Sequence, residues 1–228
     1  MADQSPKKLS CYMKFYFSRF ILFICCSFPV HADNLSELYA ALNKKLSNPS
    51  LLKEAMTLGK DRATYCKYCH GDTGNSKRGY IPNLAGQNSK YLLHQFELFA
   101  SNQRKDKVMS KLVSNLSNDE RINIALYYAS QKVTTHADSG THSNTRTEQI
   151  FNGKSIFNNQ CAHCHGLEGH GQELLPRIAG QPITYLNKTL RRYRNYSSHR
   201  PDSPMQEIAT NLSQDDLTSV VHYISTMK

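Results

Sequence analysis

The chain has 228 residues, 39% hydrophobic and 20% charged, with 28 basic against 18 acidic residues and a formal net charge of +10. That length holds one or two ordinary globular domains and excludes a large multidomain enzyme. The basic balance favours acidic partners over basic ones.

Residues 1–32 read as a secretory signal. Basic Lys7, Lys8, Lys14 and Arg19 precede the apolar run FILFICCSFPV, and VHA supplies a cleavage site after Ala32, so the mature chain starts at Asp33. The run from Phe20 to Val30 is eleven residues long, short of the roughly 20 that a membrane-crossing helix needs. Lipid attachment at Cys25 or Cys26 lacks the small preceding residue, since Ile24 stands before the first and Cys25 before the second. Loss of the signal removes four basic residues and one acidic residue and lowers the net charge from +10 to +7. In an exported protein that excess suits an acidic protein face or peripheral contact with an anionic membrane surface, and nucleic acid is not an expected partner. Cys11, Cys25 and Cys26 leave with the signal, so the mature cysteines are Cys66, Cys69, Cys161 and Cys164.

The first predicted element of the mature chain is an amphipathic helix over NLSELYAALNKKL, residues 34–46, with Leu35, Leu38, Leu42 and Leu46 on one side. CKYCH follows at 66–70, then IPNLAGQ at 81–87 and an apolar stretch KYLLHQFELF. In NLSNDE, Ser117 stands three residues before Glu120, as in a capping box, and opens a last helix whose Ile122, Ala125, Leu126 and Ala129 keep one face apolar. QKVTTHADSGTHSNTRTE, residues 131–148, is polar and without apolar periodicity, and reads as a linker.

The order then repeats. CAHCH at 161–165, LPRIAGQ at 175–181, TYLNKTLRRY and PMQEIATNLSQDDLTSVVHYIS answer the first set, with Ser213 and Asp216 in place of the first capping pair. Helical spacing dominates and strand-like alternation is scarce, so the fold class is all-α in two tandem domains: 33–130 with the extra N-terminal helix, the linker 131–148, and 149–228. Each domain is small for a purely hydrophobic core, which leaves room at its centre for a large apolar cofactor.

The repeated C-x-x-C-H supplies what such a cofactor requires. On a helix, residues i and i+3 share a face and i+4 lies beside them, so Cys66, Cys69 and His70 can address one object, as can Cys161, Cys164 and His165. Haem c takes two thioether bonds to its vinyl groups and an imidazole on iron. A zinc ribbon places its cysteine pairs about 15 to 20 residues apart, against 95 positions here. A dithiol switch needs a βαβ setting and leaves the duplicated histidine unexplained. The expectation is two covalently bound haem c groups.

Iron needs a second axial group, and the repeat offers Met109, 39 residues after His70, and Met205, 40 after His165. A single methionine in this position would ordinarily be core filling, but these two occupy equivalent places before NLS. Pro82 and Pro176 offer carbonyls for the second ring nitrogen of each histidine. Arg104 and Arg200, each five residues before its methionine, are candidates to pair with haem propionates.

CKYCHG and CAHCHG, PNLAGQ and PRIAGQ, Met109 and Met205, and the NLS helices together resemble exported dihaem cytochromes of the cytochrome c4 kind, built from two class I cytochrome c domains; the resemblance covers about residues 52–228. It implies a periplasmic one-electron carrier in a respiratory chain, fed by a quinol-oxidising complex and donating to a terminal oxidase. The same architecture also occurs as the electron-accepting cytochrome subunit of a dehydrogenase, for example a sulfide-oxidising flavocytochrome. A dihaem redox enzyme would need an open or unusual iron site, which the paired methionines disfavour. The helix before domain 1, the long linker and the basic KTLRRYRNY segment depart from the family pattern and bear on the partner rather than the cofactor.

Overall fold

The computed structural model describes residues 31–134, 144–197 and 203–228. Residues 1–30 of the expected signal, residues 135–143 of the linker and Arg200 lie outside the described residues. No described helix is long and apolar enough to cross a membrane.

Eleven helices occur among the described residues, as the repeat and the helical periodicity imply. The first domain comprises α1 (His31–Leu46), α2 (Pro49–Arg62), α3 (Lys67–His70), α4 (Ser89–Ala100), α5 (Lys107–Ser114) and α6 (Asn118–Ala129). The second comprises α7 (Asn144–Ile156), α8 (Ala162–His165), α9 (Ile183–Arg194), α10 (Met205–Asn211) and α11 (Gln214–Thr226). Helix α7 starts inside the stretch read as linker. Its first residues, Asn144 to Glu148, are polar, and its first large apolar residue is Ile150, so apolar spacing carries no sign of its opening turn.

Two helices cross at the centre of each domain, α2 with α6 and α7 with α11. Glycine permits the close approach. A Cβ on Gly59 would sit 2.1 Å from the carbonyl oxygen of Asn123, and one on Gly153 would sit 2.1 Å from that of Ser219. Both α6 and α11 open with complete capping boxes, Ser117 with Glu120 and Ser213 with Asp216. Each box satisfies two backbone N–H groups that a helix start otherwise leaves bare.

The apolar face expected for α6 is wider than one stripe: every residue from Arg121 to Tyr128 is buried. Helices α1, α2 and α4 surround it, and the Gly86 N–H donates to the Tyr128 carbonyl from the far side. The first core gathers Leu38, Leu42, Leu93, Phe96, Phe99 and Ile124, and the second Phe157, Leu186, Leu217, Val221 and Ile224. Among the described residues helix α1 has no counterpart in the second domain. Its Leu38 and Leu42 enter the first core, whereas Leu46 stays exposed. Polar contacts fix the same helix: Lys45 Nζ donates to Asp119 (2.5 Å) and Asn123 (2.7 Å), and the Tyr39 hydroxyl meets His94 Nδ1 at 3.0 Å.

The two domains meet through the repeated A-G-Q segments, and the contact is reciprocal. The Asn83 N–H donates to Gln181 Oε1 (2.9 Å) and Gln181 Nε2–H donates back to the Asn83 carbonyl (2.9 Å). The equivalent pair runs the other way, with the Arg177 N–H donating to Gln87 Oε1 (2.7 Å) and Gln87 Nε2–H donating to the Arg177 carbonyl (2.8 Å). Asn83 Nδ2–H also reaches the Gly180 carbonyl (3.0 Å), and Lys90 Nζ pairs with Glu173 at 2.6 Å. All four residues of the reciprocal pair are buried. Each amide side chain thus binds one residue's N–H and C=O as a neighbouring strand would.

Candidate haem sites

Each C-x-x-C-H stands at the same point in its domain, just after the helix that crosses the last one. In the first, a tight 3-10 turn, Ala63–Tyr65, carries the chain from α2 to Cys66, seven positions after Gly59. In the second, Cys161 comes eight positions after Gly153, and a π-helical turn, Phe157–Cys161, takes up the extra residue. A π turn accommodates one residue more than the α-helical path without leaving the helix axis. Both motifs end at a glycine with positive φ, Gly71 at 82° and Gly166 at 76°, which turns the chain away after the histidine.

The chain then loops back over the imidazole. The Gly74 carbonyl accepts from the N–H groups of Leu84 (2.7 Å) and Ala85 (3.1 Å), and the Gly169 carbonyl accepts from Ile178 (2.8 Å) and Ala179 (3.0 Å). These bonds bring each proline to its histidine. His70 Nδ1 lies 3.0 Å from the Pro82 carbonyl oxygen and His165 Nδ1 lies 2.9 Å from that of Pro176. A carbonyl only accepts, so Nδ1 carries the proton and Nε2 is the nitrogen left with a lone pair for a metal.

Both rings are buried. Burial pushes each imidazole below its ordinary pKa, helped at His70 by the Arg104 guanidinium and opposed in both cases by the proline carbonyl. The neutral ring is the form that coordinates. The four cysteines are unbridged thiols. Burial pushes the Cys66 thiol up and Cys161 up to about 11, so these are protonated thiols rather than reactive thiolates. No group of three or more His, Cys, Asp or Glu side chains able to hold a bare metal ion occurs among the described residues.

The remaining site residues fall as follows. Met109 lies in the first turn of α5, half-buried against the first core, with its N–H held by the Asp106 cap (3.0 Å). Met205 opens α10 and is half-buried. Arg104 donates to Gln95 Oε1 (2.6 Å) and lies 4.4 Å from the Phe99 ring centroid, so its guanidinium is held in domain 1. Arg177, which the sequence marks only by its place in the repeated string, is buried between the domains, and its Nε has no hydrogen-bond partner among the described residues. Burial lowers its pKa. A buried guanidinium with an unpaired N–H fits an anionic group such as a haem propionate. Paired thiols, a buried neutral imidazole with Nε2 available and this spare donor suit haem c.

In the sequence Gln87 and Gln181 stand out only as parts of a repeated string, and Gly59 and Gly153 lie outside the repeated motifs. A signal existed for the glycines, since each is followed by lysine, as Gly59-Lys60 and Gly153-Lys154.

The comparisons with known proteins agree with this geometry. The family model described as cytochrome c matches residues 150–228. Cytochrome c4 of Pseudomonas aeruginosa is 34% identical over 173 residues, 73% of this chain and 85% of the relative. The thiosulfate dehydrogenase electron acceptor of Stutzerimonas stutzeri is 27% identical over 172 residues, 72% of this chain and 80% of that one. Among solved structures, reduced cytochrome c4 from Pseudomonas stutzeri superimposes with a TM-score of 0.65 at 28% identity, covering 75% of this chain and 97% of the other. The chain belongs to the cytochrome c4-like family of dihaem c-type cytochromes, electron-transfer proteins with two covalently attached haem c groups.

Proposed function

We propose that the protein is a periplasmic one-electron carrier of a respiratory chain, exported by cleavage after Ala32. In this reading His70 and Met109 bind iron in domain 1, and His165 and Met205 bind it in domain 2. The observation that carries it is the repeated histidine-to-proline contact at 3.0 and 2.9 Å beside paired thiols. Haem iron supplies a ferric/ferrous couple. Cys66, Cys69, Cys161 and Cys164 anchor the group covalently, and each histidine, oriented by its proline carbonyl, presents Nε2. The methionine sulfur and the dry surroundings favour the reduced state and raise the potential, as suits a donor to a terminal oxidase. With a histidine and a methionine both holding each iron, no position would be left for a substrate, so the protein would pass electrons rather than catalyse a reaction.

Docking is electrostatic in this reading. Helix α9 carries Lys188, Arg191, Arg192 and Arg194 and no acidic residue, and the first three are exposed. Such a surface suits the acidic face of a redox protein, such as a terminal oxidase or a quinol-oxidising complex, and reaction rates fall as salt rises. A second reading, an electron-accepting subunit of a dehydrogenase, is favoured by the thiosulfate dehydrogenase electron acceptor among the relatives. Copurification with a dehydrogenase would select it.

Optical and magnetic spectroscopy of the matured protein tests the ligand set. Two low-spin haems with the long-wavelength sulfur band are expected, and Met109→Leu removes about half of that band. An unchanged band in Met109→Leu rejects Met109 as a ligand. High-spin ferric haem that binds cyanide readily in the unmodified protein rejects the carrier reading in favour of an enzyme.

A further inference from the structure

The cross-domain clamps and the histidine contacts share atoms. The Pro82 carbonyl that faces His70 and the Asn83 N–H that donates to Gln181 belong to one peptide group, which the two side chains hold from opposite ends. The same is true of the Pro176 carbonyl at His165 and the Arg177 N–H at Gln87. Each domain therefore places a glutamine on the far end of the peptide that orients the other domain's histidine.

We propose that Gln87 and Gln181 are positioning residues that act across the domain boundary, Gln181 on His70 and Gln87 on His165, so that each domain tunes the haem of the other. The inference rests on the reading of these histidines as axial ligands. Hydrogen bonds in series polarise one another: an acceptor at the peptide N–H makes the carbonyl at its other end a stronger acceptor. A stronger acceptor draws the Nδ1 proton, makes the ring a better electron donor and stabilises ferric iron. The glutamine's Nε2–H, bound to the next carbonyl at 2.9 Å in one domain and 2.8 Å in the other, fixes the peptide plane in which this polarisation runs. Burial of Asn83, Gln87, Arg177 and Gln181 keeps water from replacing either bond.

The test uses the matured dihaem protein, with the two midpoint potentials measured by spectroelectrochemistry and assigned to their domains by NMR. Gln181→Leu is expected to raise the potential of the domain 1 haem, changing its ferric-to-ferrous ratio at fixed potential on the order of threefold; that converts to about 30 mV at 59 mV per tenfold. Gln87→Leu is expected to do the same to domain 2. The Nδ1–H resonance of the affected histidine moves with the potential.

Gln181→Glu keeps an oxygen acceptor of greater strength but loses the Nε2–H donor and adds a charge, so its domain 1 potential is expected to fall together with a move of the His70 Nδ1–H resonance opposite to that in leucine. A charge acting through space alone would lower the potential without moving that resonance. Equal shifts in both haems, a larger shift in the mutated residue's own domain, equal signs for leucine and glutamate, or an unmoved Nδ1–H resonance each overturn the proposal. Failure of the underlying ligand reading shows separately, as absence of an iron-bound histidine Nδ1–H resonance in the unmodified protein.

Discussion

Domain 1 and domain 2 hold the same motif by unequal means. Domain 1 has a core thickened by Leu38 and Leu42 of α1, and it reaches Cys66 through a tight 3-10 turn. Among the described residues domain 2 has no added helix, a smaller set of buried side chains, and a π-helical turn before Cys161. Despite these differences the histidine-to-proline contacts differ by only 0.1 Å, at 3.0 and 2.9 Å. The parts that agree are the crossing glycines, the caps and the A-G-Q loops, so these determine the site. The core around them varies.

Substitutions that separate shared parts from unshared parts sharpen this contrast. The largest effect is expected at the helix crossings. Gly59→Ala and Gly153→Ala each put a methyl 2.1 Å from a backbone carbonyl, which cannot yield as a side chain would. Each should destabilise its domain by about 3 kcal/mol, measured by denaturant unfolding followed through that domain's haem absorption. Tolerance of either alanine would mean that the crossing there is not a shared requirement.

Leu42→Ala removes a fully buried side chain of α1. A loss of about 3 kcal/mol is expected in domain 1, because the cavity cannot be filled from outside. Domain 2 has no equivalent side chain among the described residues and should unfold at an unchanged midpoint. Joint destabilisation would show that the interface couples the two cores into one cooperative unit.

The smallest effect lies at the caps, where Ser117→Ala and Ser213→Ala should each cost about 1 kcal/mol. The Ser117 backbone N–H, then the Arg62 guanidinium, holds the Glu120 carboxyl below its ordinary value; the Ser213 hydroxyl and N–H do so for Asp216. A depressed carboxylate stabilises the fold above its unfolded pKa and loses that contribution as pH falls through the folded one. Ser213→Ala removes the hydroxyl that holds Asp216, so its cost should shrink as pH is lowered below the ordinary carboxylate range, whereas Ser117→Ala keeps the backbone N–H at Glu120 and its cost should change less with pH; added salt should weaken the Glu120 contact more because of its ion pair with Arg62. Unfolding midpoints of the variants and the parent, measured against pH and salt, check both expectations.

Local chemistry was legible in the sequence where it lies within a few residues. Ser117 with Glu120 and Ser213 with Asp216 predict the capping boxes, and Leu38 with Leu42 predicts the packing of α1. The enclosure of α6 was not legible, because Arg121 and Asn123 are polar and their partners lie far away in the chain: Glu97 accepts from Arg121 at 2.9 Å and Lys45 donates to Asn123 at 2.7 Å. Nor was the pairing of Gln87 with Arg177, ninety positions apart. Repetition marked that glutamine as shared without telling what it touches, since an amide side chain has no periodic pattern to betray its partner.

The reciprocal clamp also bears on how the two halves can drift apart over generations. Gln181 grips asparagine at position 83, whereas Gln87 grips arginine at position 177, and both bonds go to main-chain atoms that every residue except proline provides in full. A contact read through the backbone puts no demand of its own on the side chains at 83 and 177, which answer to other partners: Asn83 Nδ2–H donates to the Gly180 carbonyl and Asn83 Oδ1 accepts from the Ser76 N–H. One half can acquire a cationic residue while the other keeps a neutral amide, with no compensating change in either glutamine.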